Sequence, residues 1–493
     1  MTILGRNYPS EGAANMSATA AQAELGISAV TTDPLYADPY WMPEKIVENN
    51  LTKQVVPCVY KPFEGTGASS SSPYQWEVPP DPNWWVDAEV VVRGRYRVVV
   101  KDATTGQPKV WEKTERDALL GPDGTDVKYG MIDDIGQTMW SRISLQDNGI
   151  PIEDPNPRPY PFRYKFENIL NFDDKKKYRV FKYCQNHVAE TPDRGKLVKC
   201  SPAAKQRFKN LAKNEFTDFE VVLHTDFLSM DNQIPTSNEL RIVLDRTSDD
   251  FIFIRDPVYE TACNEAQPAV TPLIPMLELR YVELKVMKSQ PSANRRKSGV
   301  PAVTIGRMRD KAIAPNNTNF NFGNLFRGED LPQQVLVTLL PQKAWNGDML
   351  TDPFQWIKPK VVEACLVVDG VHYEPLEKLT NQKNGEDGHG DLDMYLSSIR
   401  AAGYQYLARD GTMDIDMDQW SNHNFFLAFD RSPGKNNSLS TIFRPKPGQH
   451  MDLVLHLKES FEETYVLLVY GIYKTYVEFN SDGTLKRVPH IIC

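Results

Sequence analysis

One short hairpin is written twice in this chain, and that repetition restricts the possible folds more than any other feature. "ISLQDNGIPIE" (Ile143–Glu153) and "ACLVVDGVHYE" (Ala364–Glu374) superpose without a gap, so that Leu145 falls on Leu366, Gly149 on Gly370 and Glu153 on Glu374. Each reads as a strand, a two-residue turn and a returning strand. Asn148-Gly149 and Asp369-Gly370 are the dipeptides that tolerate the positive φ a type I′ turn demands at both central positions. These four residues are the turn assignments of the sequence.

The repetition extends beyond the hairpin. "FEVVLHTDF" (219–227) is echoed by "FFLAFDRSP" (425–433), and "ELRIVLDRTSDD" (239–250) by "MDLVLHLKESFE" (451–462). Both halves end on a long apolar strand, 277–286 and 464–479. Four echoes in the same order imply two copies of one β-domain. A chain of 493 residues also exceeds one comfortable core. The polar, period-free "KSQPSANRRKSG" (Lys288–Gly299) is the natural joint. The resulting division is a flexible N-terminal arm (1–34), a first domain (35–288), a linker (289–299), a second domain (300–482) and a C-terminal tail (483–493).

Within the first domain, "VVVRGRYRVVVK" (Val90–Lys101) alternates Val90, Val92, Tyr96, Val98 and Val100 with Arg93, Arg95, Arg97 and Lys101. That period of two is a long half-buried strand, its Arg stripe a solvated face. In "LELRYVELKV" (Leu277–Val286) the apolar phase slips between positions 281 and 282, as at a β-bulge. Helical periods are short: Phe162, Phe166, Ile169 and Leu170; Ala204, Phe208, Leu211 and Ala212; Leu392, Leu396 and Ile399. They fit loop insertions. With 36 Pro and 28 Gly the chain is turn-rich. The expected fold is all-β: two tandem eight-stranded jelly-roll β-sandwiches, with short helices in inserted loops.

Little chemistry is written locally. The net charge of −9 gives no global attraction to nucleic acid or acidic lipid. The six Cys show no C-x-x-C spacing, and the eight His form no metal-binding motif, so buried free thiols and structural histidines are the plainer readings. No G-x-S-x-G occurs. "DIDMD" (Asp414–Asp418) opens like a calcium loop, but Gln419 and Phe425 stand where that loop needs Gly and Glu, so an acidic strand face is expected. "GEDGHG" (Gly385–Gly390) lacks the strand and Lys-Ser/Thr of a phosphate loop and reads as a flexible loop. The basic cluster "RRK" (Arg295–Lys297), Arg307, Arg309 and Lys311 reads as solvated linker, with contact to a neighbouring subunit or to nucleic acid as the sharper alternative. No secretory h-region opens the chain, and "YVLLVYGIY" from Tyr465 is shorter than the ~20 residues of a membrane span. The sequence therefore assigns no catalytic, cofactor-binding or metal-binding residue, no cofactor and no membrane insertion.

Longer stretches resemble a known family. "SRISLQDNGIPIEDPNPRPYPFRYKFENILNF" (141–172), "LELRYVELKVMKSQPSA" from Leu277, "LPQQVLVTLLPQKAWNGDMLTDPFQWIKPKVVEACLVVDG" from Leu331 and "LVLHLKESFEETYVLLVYGIY" from Leu453 look like successive parts of hexon-like double jelly-roll major capsid proteins. The likeness is to those of Polinton/Maverick elements and adintoviruses in particular, and it runs from Trp76 to Tyr476. It implies a structural protein without catalytic role, made in the host cell interior, with the nucleus as one place of assembly. It also implies a homotrimer forming a pseudo-hexagonal tile of an icosahedral virion shell. Its partners would be neighbouring capsomers and penton or minor capsid proteins, with at most weak contact to packaged nucleic acid. Two alternatives stay open: an enzyme on two jelly rolls, of amidase, glycosidase or copper monooxygenase type, and a minor capsid protein.

Overall fold

The computed structural model describes residues 52–487, apart from 64–71, 82–83, 103–104, 107, 122–123, 125, 152–159, 172–179, 191–199, 227–233, 236–238, 266–271, 292–301, 328–330, 373–378, 381–388, 404–412, 414, 432–449, 477 and 480–484. The main strands of the first sandwich are β1 (Thr52–Tyr60), β2 (Tyr74–Val78), β3 (Trp85–Lys101), β4 (Trp140–Asp147), β5 (Ile150–Pro151), β6 (Thr217–Val222), β7 (Leu240–Arg246) and β8 (Pro275–Pro291). One sheet has the order β1-β8-β3-β6 and the other β2-β7-β4-β5, with every pairing antiparallel.

The second sandwich follows with β9 (Ala302–Ile313), β10 (Asn319–Arg327), β11 (Gln334–Pro341), β12 (Val361–Val368), β13 (Val371–His372), β14 (Leu427–Asp430), β15 (His450–Leu457) and β16 (Tyr465–Tyr476). Its sheets run β9-β16-β11-β14 and β10-β15-β12-β13. Adding eight to every strand of the first sandwich reproduces the second, so the chain carries two jelly rolls in tandem. The sequence echoes fall on equivalent strands: β4-β5 with β12-β13, β6 with β14, β7 with β15, and β8 with β16.

Alternation explains the first sandwich. Val90, Val92, Tyr96, Val98 and Val100 of β3 are buried, facing Trp76, Leu145 and Ile242 of the opposite sheet. On the outer face each Arg meets an acid on a neighbouring strand: Arg93 with Glu283 at 3.1 Å, Arg95 with Asp218 at 2.7 Å and Arg97 with Glu278 at 2.7 Å. Such cross-strand pairs contribute about 0.2–1 kcal/mol each, toward the lower end where water screens them. The register slips between Arg280 and Glu283, where Tyr281 has φ 53°.

Alternation holds in β15 but fails in the β9-β16-β11-β14 sheet of the second sandwich, for a physical reason. Residues 334–340 of β11 and 466–473 of β16 are buried without interruption. Strands read as continuous apolar runs when both sheet faces are covered. Helix α1 (Tyr160–Asn171), from the first jelly roll, lays Phe166 on Tyr470 of β16. Helix α2 (Pro202–Leu211) stays within its own jelly roll, packed on Tyr129–Met131. Helix α3 (His389–Ala401) packs on β14, and its Ala401 carbonyl accepts from Gln334 Nε2 at 2.6 Å. The apolar run at Tyr465 is thus a doubly covered strand; no described helix is long and apolar enough to cross a membrane. Buried apolar residues of both jelly rolls form one contiguous cluster.

α1 lies in the insertion between β5 and β6, as expected, and there it also joins the two jelly rolls. Other expectations need correction. β8 continues through Pro291, so the first residues of the expected linker (289–299) are paired strand. Residues 292–301 lie outside the described residues, as does the whole expected arm 1–34. In the expected tail 483–493, Leu485–Arg487 pairs with Glu478–Phe479.

Candidate functional site

Among the described residues, buried polar and aromatic groups gather where the two jelly rolls meet. α1 supplies the first jelly roll's half. Phe162 stands 4.9 Å from Trp345 and 5.8 Å from Phe354, ring to ring, and Phe166 stands 4.7 Å from Trp356 and 5.5 Å from Tyr470. Beside these rings lies an ionic network whose side chains are almost fully buried. Asp226, four residues beyond β6, accepts from Arg163 Nη2 at 2.8 Å, from the backbone N–H of Gly306 at 2.8 Å and from the guanidinium of Arg307. Glu167 accepts from Arg163 Nε at 2.7 Å and from the Tyr470 hydroxyl at 2.9 Å, and lies 3.0 Å from His224 Nδ1. Burial alone would raise the Glu167 carboxyl, but Arg163 and His224 hold it down to about 2. Burial, reinforced by Glu167, pushes the Tyr470 hydroxyl far above its ordinary value.

Gly306 permits this arrangement. A Cβ there would lie 2.3 Å from the Tyr470 hydroxyl and 2.6 Å from its ring. Without a side chain at 306, the tyrosine crosses β9 and reaches Glu167.

Beside the network, both jelly rolls line a cavity of about 90 Å³, with Asp133, Lys165, His187, Glu190 and Arg207 on one side and Asp352 and His423 on the other. Ser201 caps α2 by accepting from the Ala204 N–H, which fixes the helix that carries Arg207. Arg207 is 1 % exposed and donates to the carbonyls of Met131 and Val188 and to Glu190 Oε1 at 2.8 Å. His187 Nδ1 lies 3.1 Å from Asp133 and 3.2 Å from Asp134. Asp133, Asp134 and His187 have metal-ligand chemistry, and the sequence did not single them out. Burial lowers the imidazole, yet the two carboxylates reverse this and raise it to about 10. His187 Nδ1 thus faces both carboxylates, and their charge favours the protonated ring. Asp352 is pushed up to about 6 by burial, with Glu190 adding to the effect.

The sequence-derived candidates fall elsewhere. Asn148 and Gly149 have φ of 51° and 80°, and Asp369 and Gly370 have 53° and 76°; each pair closes a two-residue turn between paired strands. Arg307 is 2 % exposed, so it is no part of a solvated linker; Arg295–Lys297 lie outside the described residues. Of the acidic strand expected at Asp414–Asp418, position 414 lies outside the described residues, and the described part leads into a helix, α4 (Met417–Asn422). Asp416 caps it, accepting from Gln419 N–H at 2.7 Å in a capping box. His389 and Gly390, expected in a flexible loop, open α3. All five described cysteines are free thiols, with Cys200, Cys263 and Cys365 buried.

Neither a scan of protein-family models nor a search of curated proteins finds a match. Solved structures do match over nearly the whole chain. A chain of the Sputnik virophage structure, determined by cryo-EM, aligns at TM-score 0.55 and 9% identity, covering 89% of each chain. The Faustovirus major capsid protein aligns at TM-score 0.50 and 10% identity over 92% of this chain and 96% of its own. The mavirus major capsid protein aligns at 0.50 and 9% over 91% and 93%. The fold is the hexon-like double jelly roll. At such identity the likeness concerns architecture alone.

Proposed function

We propose that this double jelly roll is a structural major capsid protein, resident in the virion, whose work is self-association into homotrimeric, pseudo-hexagonal capsomers. One observation carries the reading: two jelly rolls of identical topology are locked side by side by a buried, ion-paired seam. Three such chains around a threefold axis present six similar sandwiches, and a near-hexagonal outline tiles a shell. The fold shared with the Faustovirus and mavirus major capsid proteins supports it. The domain limits 35–288 and 300–482 belong to this proposal, as do Asn148, Gly149, Asp369 and Gly370 as register-setting turns. Neighbouring capsomers and penton or minor capsid proteins are the expected partners. The enzyme alternative is not favoured, because the seam's buried charges are engaged in holding the jelly rolls together.

Light scattering of purified protein should give a mass of about 168 kDa, three times 56.1 kDa, and electron microscopy a threefold, nearly hexagonal particle. A stable monomer would refute the proposal.

A further inference from the structure

The charges around the seam cavity do not balance. Four carboxylates stand there, Asp133, Glu190, Asp352 and, behind His187, Asp134, against three cations, Lys165, His187 and Arg207. Arg207 is taken by Glu190 Oε1 at 2.8 Å, and His187 by Asp133 and Asp134. Asp352 is left over. Its carboxylate accepts from the Phe354 N–H at 2.9 Å and makes no ion pair among the described residues. A buried carboxylate without a counter-charge is costly.

Three further polar atoms are unmatched at the same place. Glu190 Oε2, His423 Nε2 and Asn424 Oδ1 are buried without a hydrogen-bond partner among the described residues, and all three residues line the cavity. Folded proteins leave few such atoms unsatisfied. His423 is 8% exposed, and burial lowers its pKa, which favours the neutral ring with a lone pair to offer. The backbone fixes this segment. His423 donates its N–H to the Gln419 carbonyl at the end of α4, its own carbonyl accepts from Trp356 at 3.0 Å, and Phe425 donates back to the Trp356 carbonyl at 2.9 Å. A spare carboxylate oxygen, an imidazole lone pair and an amide oxygen, beside an unpaired carboxylate, are the chemistry that receives a cation.

Spacing selects the kind of cation. Among the described residues, only Asp133, Asp134 and His187 bring three carboxylate, thiol or imidazole ligand atoms within 4.8 Å of one another. Glu190, Asp352 and His423 therefore stand wider apart than that. Zinc needs its ligands in direct tetrahedral contact, and calcium takes about six to eight oxygens directly, whereas magnesium keeps several waters and uses one or two carboxylates. A cavity of about 90 Å³ has room for such waters, since one needs about 10–15 Å³.

We propose that this cavity binds one hydrated divalent cation of the magnesium class, with Glu190 and Asp352 supplying the charge and His423 and Asn424 accepting from the ion's water. Glu190 belongs to the first jelly roll and the other three to the second, so the ion is a bridge between them. The site requires the double jelly roll and not the trimer.

Calorimetric titration of magnesium chloride into chelator-treated protein, at constant ionic strength, should show one saturable site per chain. Asp352→Asn, and Glu190→Gln, which keeps an acceptor for Arg207, should each weaken it about tenfold or more. Glu459→Gln, on the exposed pair with Lys360, should leave it unchanged. Magnesium should raise the wild-type melting temperature, because only the folded seam binds it, and should leave that of Asp352→Asn where it was. With divalent cations chelated, Asp352→Asn should melt above wild type, which also shows that the variant is folded. Absence of a saturable site in wild type, or binding by Asp352→Asn as tight as that of wild type, would mean that water alone fills the cavity and would overturn the inference. If Asp352→Asn weakens binding and Glu190→Gln does not, the ion is held by one jelly roll and the bridge falls.

Discussion

Asp226→Ala should separate the two jelly rolls energetically. The Asp226 side chain is 0% exposed, and its partners Arg307 and Arg163 are 3% and 11% exposed. Truncation leaves Arg307 with its charge buried and the Gly306 N–H without an acceptor. Removing one partner of a buried pair costs about 3–5 kcal/mol, and an orphaned buried N–H about 1–3 kcal/mol. The two losses share one network, so they overlap, and we expect a total of about 3–5 kcal/mol. Lys360→Ala is the matched control, since the Lys360–Glu459 pair is 63% and 60% exposed and such pairs are worth about 0–1 kcal/mol. Urea unfolding followed by tryptophan fluorescence and by circular dichroism would read the difference. Wild type should unfold with coincident transitions, and the variant with an earlier transition whose two probes diverge. Adding Arg307→Met should restore part of the loss, because an apolar replacement of a buried pair is often neutral. If Asp226→Ala falls within about 1 kcal/mol of the control, the claim that this network couples the jelly rolls is wrong.

Gly306→Ala places a methyl 2.3 Å from the Tyr470 hydroxyl and should cost about 1–3 kcal/mol by thermal unfolding. At Gly370, φ is 76° and an added Cβ meets nothing within 4 Å, so any penalty is purely conformational. Gly370→Val should cost about 1–3 kcal/mol and Gly370→Asn close to none, and equal stabilities would show that the turn does not constrain the chain. Asp352 binds a proton more tightly in the fold, at about 6, than at its ordinary 3.8. The wild type therefore loses stability as pH rises between those values. Asp352→Asn should be more stable than wild type by about 1–3 kcal/mol near neutral pH, and the two should converge below pH 3.8 in paired denaturation curves.

What could be read from the sequence was local or repeated. Asn148-Gly149 and Asp369-Gly370 declare their turns within four residues, and the Val/Arg alternation of β3 declares both of its faces. Repetition then supplied the order of strands. The seam stayed hidden because its contacts are distant: Phe166 meets Trp356 and Tyr470, and Asp226 meets Arg307. A signal was nevertheless present. "VLVTLL" in β11 and "YVLLVYGIY" in β16 show no alternation, and a strand apolar on both faces needs two covers. The sandwich provides one, so a helix had to provide the other. At Asp414–Asp418 the period of two was misleading; Asp416-x-x-Gln419 spells a helix cap in the same letters.

Asp226 has one more consequence, through the backbone donor it occupies. β9 forms the rim of its sheet, and a bare rim is a template onto which another chain's strand can be added without limit. With a carboxylate seated on the Gly306 amide, strand addition along that rim would first have to evict a buried charge. A protein that accumulates to the crowding a shell requires is thereby steered from ribbons and tangles toward contacts that close on themselves.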